Sequence, residues 1–85
     1  MKPDIEQSLR RAMYAQQNGR LREAEKLYRS ILRSHPKNGV ANHNLGVLKV
    51  ALGKASLALQ HFQAALEADR DQYQYWISYI DALIK

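Results

Sequence analysis

Apolar residues recur along this chain at helical spacing, in five stretches divided by short polar breaks. Ile5, Leu9, Ala12 and Met13 lead the first stripe, which runs on to Ala15 and Gln16. Leu21, Ala24, Leu27, Tyr28, Ile31 and Leu32 form the second, an i, i+3, i+4, i+7 series typical of a helix with one buried face. A third carries Leu45, Leu48 and Leu52, a fourth covers residues 57–66, and a fifth holds Trp76, Tyr79, Ile80 and Leu83. No strand-like alternation intervenes. The pattern predicts an all-α chain of five short helices.

The breaks have their own chemistry. Asp4 with Gln7 three residues on predicts a capped helix start, with Pro3 just outside it, and Asn38 predicts another. Asp71 with Gln74 predicts the start of the fifth helix. Asn18-Gly19 and Gly53 read as stops, because glycine takes the left-handed conformation that ends a helix. Ser34-His35-Pro36 closes the second helix, since proline lacks a backbone donor and restrains the residue before it. Connections this short make consecutive helices antiparallel neighbours.

The same punctuation returns after 34 residues: Ala12 as Gly46, Gly19 as Gly53, Ala24 as Ala58, Tyr28 as Phe62, Leu32 as Leu66. A fixed period of this kind marks stacked helical units, each burying its apolar face on a neighbour. Ala12, Gly46, Ala24 and Ala58 are predicted at close helix crossings, leaving room for Tyr28 and Phe62 one turn away.

These residues resemble the tetratricopeptide repeat family, whose unit is a 34-residue helix–turn–helix with a loose Trp, Leu-Gly, Tyr, Ala, Phe, Ala, Pro pattern. Residues 39–72 carry Leu45-Gly46, Gly53, Ala58, Phe62 and Ala65 at matching offsets, and residues 5–38 carry Ala12, Gly19, Ala24, Tyr28 and Pro36. Residues 73–85 look like the first helix of a third unit or a capping helix, with Trp76 at the family's Trp position. Ser8 and Asn42 replace that Trp in the complete units, Lys49 replaces an aromatic, and Arg70 replaces the second unit's Pro.

The resemblance implies one domain over residues 1–85, a right-handed superhelical stack of antiparallel hairpins. It also implies a protein-interaction module, in which the first helix of each unit lines a concave groove for a peptide or partner helix. Carried over, that groove is lined by Glu6, Leu9, Arg10, Met13 and Gln17, by Val40, His43, Asn44, Val47 and Ala51, and by Gln74, Ser78 and Asp81. Asn44 stands where many members use an Asn to grip a peptide backbone, a task suited to a group that both donates and accepts. The positions that clamp chaperone-tail carboxylates in one subgroup hold Leu9, Met13, Asn44, Gln74 and Ser78, of which only Asn44 fits. Residues 75–85 look like units of long bacterial proteins, some with a transferase domain downstream. The competing expectation is therefore a spacer or self-association segment of a larger protein, of which this chain is the N-terminal part.

Charge and composition narrow the choice. Residues 1–38 hold nine basic against four acidic side chains, while residues 39–85 are balanced, so the net charge of +5 lies in the first half. Arg22, Lys26, Arg29 and Arg33 form a basic stripe on the second helix, read as a solvated face with a Glu25–Arg29 ion pair. Nucleic-acid binding is disfavoured, because no aromatic is interleaved for base stacking. The absence of cysteine excludes disulfides and thiolate metal sites, and with no apolar leader or membrane-length run the expectation is a cytoplasmic protein. His35, His43 and His61 lack metal-ligand spacing, and no catalytic triad or phosphate loop is present, so neither cofactor nor enzyme activity is expected. Trp76, Tyr79, Ile80 and Leu83 mark an apolar face with no second helix to cover it, which leaves three expectations: local collapse onto the fourth helix, a continuation of the array that covers it, or a homodimer through the last helix.

Overall fold

The computed structural model describes residues 4–85, so the expected position of Pro3 before the first helix lies outside the described residues. Five helices follow one another: α1 (Ile5–Gln17), α2 (Leu21–Ser34), α3 (Gly39–Ala51), α4 (Ala55–Ala68) and α5 (Tyr73–Leu83). Helices leave their first backbone N–H groups without partners, and short polar side chains supply them. Asp4 Oδ1 accepts from the Gln7 amide at 2.7 Å, and Asn38 Oδ1 accepts from the Ala41 amide at 2.8 Å. The expected start at Asp71 is corrected. Gln72 occupies the cap position of α5 without a side-chain bond, and the Asp71 amide donates to Asp69 Oδ1 at 3.1 Å. A local carboxylate turn at Asp69–Asp71 leaves the helix to start one residue further along the chain.

Gly19 and Gly53 have φ of +76° and +78°, and each is followed by the same closure. The Arg20 amide donates to the Ala15 carbonyl at 2.9 Å, and the Lys54 amide to the Lys49 carbonyl at 2.8 Å. This six-to-one bond satisfies a carbonyl that the ending helix would otherwise leave bare. The period seen in the sequence is thus a period of hydrogen bonds.

Each helix packs on the next in sequence, and α1 also meets α3, as α3 meets α5, whereas the α2 and α4 backbones stand further apart. A row closed up on one side and open on the other bends toward the closed side. The wall formed by α1, α3 and α5 is therefore the inner one. With extents of 42 × 26 × 18 Å, the molecule is an open stack of hairpins rather than a closed bundle.

Two apolar layers hold it together. Ala12, Ala15, Ala24, Tyr28, Ile31, Ala41, Leu45 and Leu48 are buried together where α1, α2 and α3 meet. Ala58, Phe62 and Ala82 form the core of the next layer, with Val47, Val50 and Tyr79 packed against them. Tyr28 and Phe62 are fully enclosed. The absent side chain of Gly46 makes room for Phe62, because a Cβ there would lie 2.5 Å from the ring.

Two departures from the family pattern gain a structural reason. Lys49, buried at the α2–α3 contact, donates to Glu25, which also meets Arg29 at 3.4 Å. Asn42, also buried, donates to the carbonyls of Pro36 and Asn38 at 3.1 Å each and so fastens the turn between hairpins.

Candidate partner-binding wall

Residues 34 positions apart share a level on α1, α3 and α5, so the inner wall is built of rows. Leu9, His43 and Ile77 form one; Arg10, Asn44 and Ser78 another; Met13, Val47 and Asp81 a third. Met13 and Val40 are each about two-fifths exposed, Leu9, Asn44, Val47 and Ser78 are half-buried, and Arg10, Gln17 and Gln74 are exposed. Glu6, Ala51 and Asp81 are also exposed, so twelve of the thirteen residues expected in the groove keep accessible surface. Arg10 lies 3.8 Å from Glu6 across one helical turn, an exposed pair that tempers its charge.

His43 is the exception, and its expected place in an open groove is corrected. It is buried, with its ring stacked on Tyr75 at 4.8 Å and tilted against Phe62 at 5.7 Å. Its Nε2 lies 2.8 Å from Ser78 Oγ and its Nδ1 lies 3.3 Å from Asn44 Oδ1. A neutral ring with the proton on Nδ1 satisfies both: it donates to the Asn44 carbonyl oxygen and accepts from the serine hydroxyl. Burial pushes His43 below the usual imidazole range, opposed by the bond to Asn44. His43 and Ser78 thus bind each other and fix α5 to α3.

Polar contacts extend to the first hairpin. The Tyr28 hydroxyl donates to Gln16 Oε1 at 2.7 Å. Burial pushes this phenol up, and the adjoining Asn44 amide opposes that push. Asn44, His43 and Ser78 therefore form one run of polar contacts from α3 to α5, and Tyr28 with Gln16 forms another between α2 and α1. Asn44 has its Oδ1 engaged by His43 and is half-buried but still reachable from the wall. Gln16, the Tyr28 hydroxyl and Tyr75 are missing from the sequence-derived set. Their signal was present in Tyr75, an aromatic standing 34 residues after Ala41.

The apolar face expected on α5 divides in two. Tyr79 turns inward onto the second core layer, and its hydroxyl accepts from Gln63 Nε2 at 3.1 Å. Trp76, Ile80 and Leu83 point outward and are 43%, 55% and 53% exposed. The indole N–H of Trp76 donates to the Arg70 carbonyl at 2.9 Å, which holds the ring in place.

Two surface clefts lie mostly outside the inner wall, the second of them reaching Arg10 at its edge. One runs between α2 and α4 over Leu45 and Lys49, rimmed by Arg29, Arg33 and His61; another lies beside Tyr14 and Leu27. A three-helix wall offers a long shallow surface, a shape suited to an extended chain or a helix rather than a small molecule. The stripe of Arg22, Lys26, Arg29 and Arg33 is solvated on the opposite side, with Arg29 in its expected pair with Glu25. Among the described residues no helix is long and apolar enough to cross a membrane.

A family model described as Tetratricopeptide repeat matches residues 15–84. No curated protein matches the chain. The matched span runs from the end of α1 through α5, and repeats of this kind mediate protein–protein interaction. The chain belongs to the tetratricopeptide repeat family.

Proposed function

We propose that this chain is a cytoplasmic, non-catalytic interaction module that holds an extended peptide or partner helix along the α1, α3 and α5 wall. The observation that carries this reading is the half-buried Asn44, set among Leu9, Met13, Val40 and Val47 on a continuous surface. With Oδ1 held by His43, its amide NH2 can donate to a peptide carbonyl while the apolar residues of the wall take the side chains. The wall is built before the partner arrives, so little ordering cost is added on binding. Arg10 adds a preference for acidic partners at one end.

Selection of binders from a random peptide library tests the reading. Selected peptides should lose at least about tenfold in affinity for Met13→Glu and Val40→Glu, which change only exposed wall positions. Asn44→Ala with Arg10→Ala should abolish binding, with circular dichroism confirming the fold. Peptides that bind the wall variants as well as the parent chain would refute it.

A second reading is self-association through the outer face of α5, favoured by the exposure of Trp76, Ile80 and Leu83. It treats the chain as an assembly segment of a larger protein. The two readings use different faces and are compatible.

A further inference from the structure

We propose that two copies of this chain pair through α5, antiparallel, with Ile80 at the twofold axis packed on the partner's Ile80. The proposal rests on the self-association reading and gives it a geometry.

The repeat itself shows what the outer face of α5 is. On α3, Ala41, Leu45 and Leu48 face the preceding hairpin, and their counterparts Tyr75, Tyr79 and Ala82 do the same on α5. The other side of α3, centred on Gly46, receives α4 through Phe62. On α5 that side carries Tyr73, Trp76, Ile80, Leu83 and Ile84, all exposed, with Ile80 at the position of Gly46.

This substitution decides what can cover the face. Even a lone Cβ at Gly46 would sit 2.5 Å from the Phe62 ring. Ile80 brings a branched side chain to the same seat. A helix of the α4 kind, with an aromatic in that register, cannot close on α5. A second α5 can, because its surface has the same apolar side chains and no aromatic aimed at the seat.

Spacing and charge choose the orientation. Residues 73, 76, 80 and 83 follow the three-and-four alternation of a two-helix seam. Antiparallel pairing sets opposite helix dipoles side by side and places Trp76 against the partner's Ile84. Parallel pairing would instead put Trp76 on Trp76 and bring like charges of Asp81 and Lys85 into line. Those two already pair with each other at 3.6 Å along the helix, at the edge of the face. The bond from Trp76 to the Arg70 carbonyl fixes the indole in advance and lowers the cost of docking it.

With Ile80 on the axis, Trp76, Ile80, Leu83 and Ile84 can meet the partner while Tyr73 lies beyond the end of its α5, so the paired area is well below the ~800 Å² per partner of a standard interface. A seam this small predicts a weak, reversible dimer.

Sedimentation equilibrium from about 5 to 500 μM, read together with the emission of the single tryptophan, measures the association. A dimer is expected, with blue-shifted Trp76 emission as it forms, and Ile80→Glu should weaken it about 100-fold. Because the chain has no cysteine, a single introduced cysteine reports on the geometry. Mild oxidation should trap Ile80→Cys as a disulfide dimer at least about tenfold faster than Trp76→Cys, whose copies lie roughly 12 Å apart along the antiparallel seam. Both positions are exposed, and circular dichroism confirms that each variant is folded. A monomer at the highest concentration would overturn the pairing and the self-association reading together. An oligomer that Ile80→Glu leaves intact, or that traps Trp76→Cys as readily as Ile80→Cys, would overturn the pairing while self-association stands.

Discussion

Replacing Gly46 by alanine sets two physical effects against each other. Gly46 lies inside α3, and alanine in a helix interior is more favourable than glycine by about 1 kcal/mol. Against this stands Phe62. The new Cβ would meet three ring carbons at 2.5, 2.8 and 2.9 Å, where carbon atoms ordinarily rest about 3.5–4.0 Å apart. The ring would have to retreat by about 1 Å to restore ordinary contact. It has no room, because Phe62 is 1% exposed and enclosed by Ala58, Val47 and Val50. Overpacking of a closed core costs about 1–3 kcal/mol, and a clash with three atoms belongs at the upper end. The net expectation is a loss of about 1–2 kcal/mol, or roughly 5–15 °C in Tm for a domain of this size. Thermal and urea unfolding followed by far-ultraviolet circular dichroism would measure it.

A second substitution isolates the cause. Phe62→Leu alone opens a cavity and should destabilise, but combined with Gly46→Ala it gives the new methyl its space. The pair should be more stable than the sum of the single effects by about 1 kcal/mol or more. Strict additivity, or a Gly46→Ala chain more stable than the parent, would refute the account of small against large at this crossing.

The two remaining predictions concern buried polar groups. Lys49→Ala leaves the Glu25 carboxylate with Arg29 at 3.4 Å and the more distant charge of Lys54, at a cost of about 3 kcal/mol, whereas Lys49→Met with Glu25→Leu should recover most of that loss; equal stability of the two variants in urea would contradict it. The bond from Lys49 holds Glu25 below the usual carboxylate range, so its contribution is lost only as pH falls under about 4.5. The histidines act above that window. Burial lowers both His43 and His61, the latter also through the charges of Lys49 and Arg29, so the unfolded chain takes up protons near pH 6.5 that the folded chain resists. Stability should hold above about pH 6.5 and fall between there and pH 4.5, and His43→Phe, which keeps the stack on Tyr75, should flatten that fall. An unchanged slope in thermal unfolding across this range would show that His43 is not the group responsible.

Much of the fold was legible because its signals are either local or repeated. The caps at Asp4 and Asn38 involve residues three positions apart, and the stops at Gly19 and Gly53 each act within one turn. Tyr28 with Ala12, and Phe62 with Gly46, are one crossing written twice. What escaped is what occurs once. The Glu25–Lys49 pair joins two hairpins through residues 24 apart, and neither has a charged counterpart 34 residues away on the face it uses. His43 reads as a groove residue because Leu9, its counterpart, stays half open; only the arrival of Tyr75 over it closes the site. Asp71 lost its expected cap to Asp69, a competition between neighbours that spacing alone does not rank.

The departures from the period therefore carry more functional information than the period does. Where residues repeat faithfully, as at Gly19 and Gly53 or Tyr28 and Phe62, they are fixed by closing a hairpin and leave nothing over for a partner. Asn44, His43 and Ser78 break the rows they belong to, and together they make the polar line through the inner wall. Ile80 breaks the row of Ala12 and Gly46, and in doing so converts a seat for the next aromatic into a surface that a like helix can meet. A hairpin array has only a few positions free of packing duty, and this chain has changed the residue type at several of them. Those positions, rather than the repeated ones, are where the proposed binding and pairing surfaces are tested.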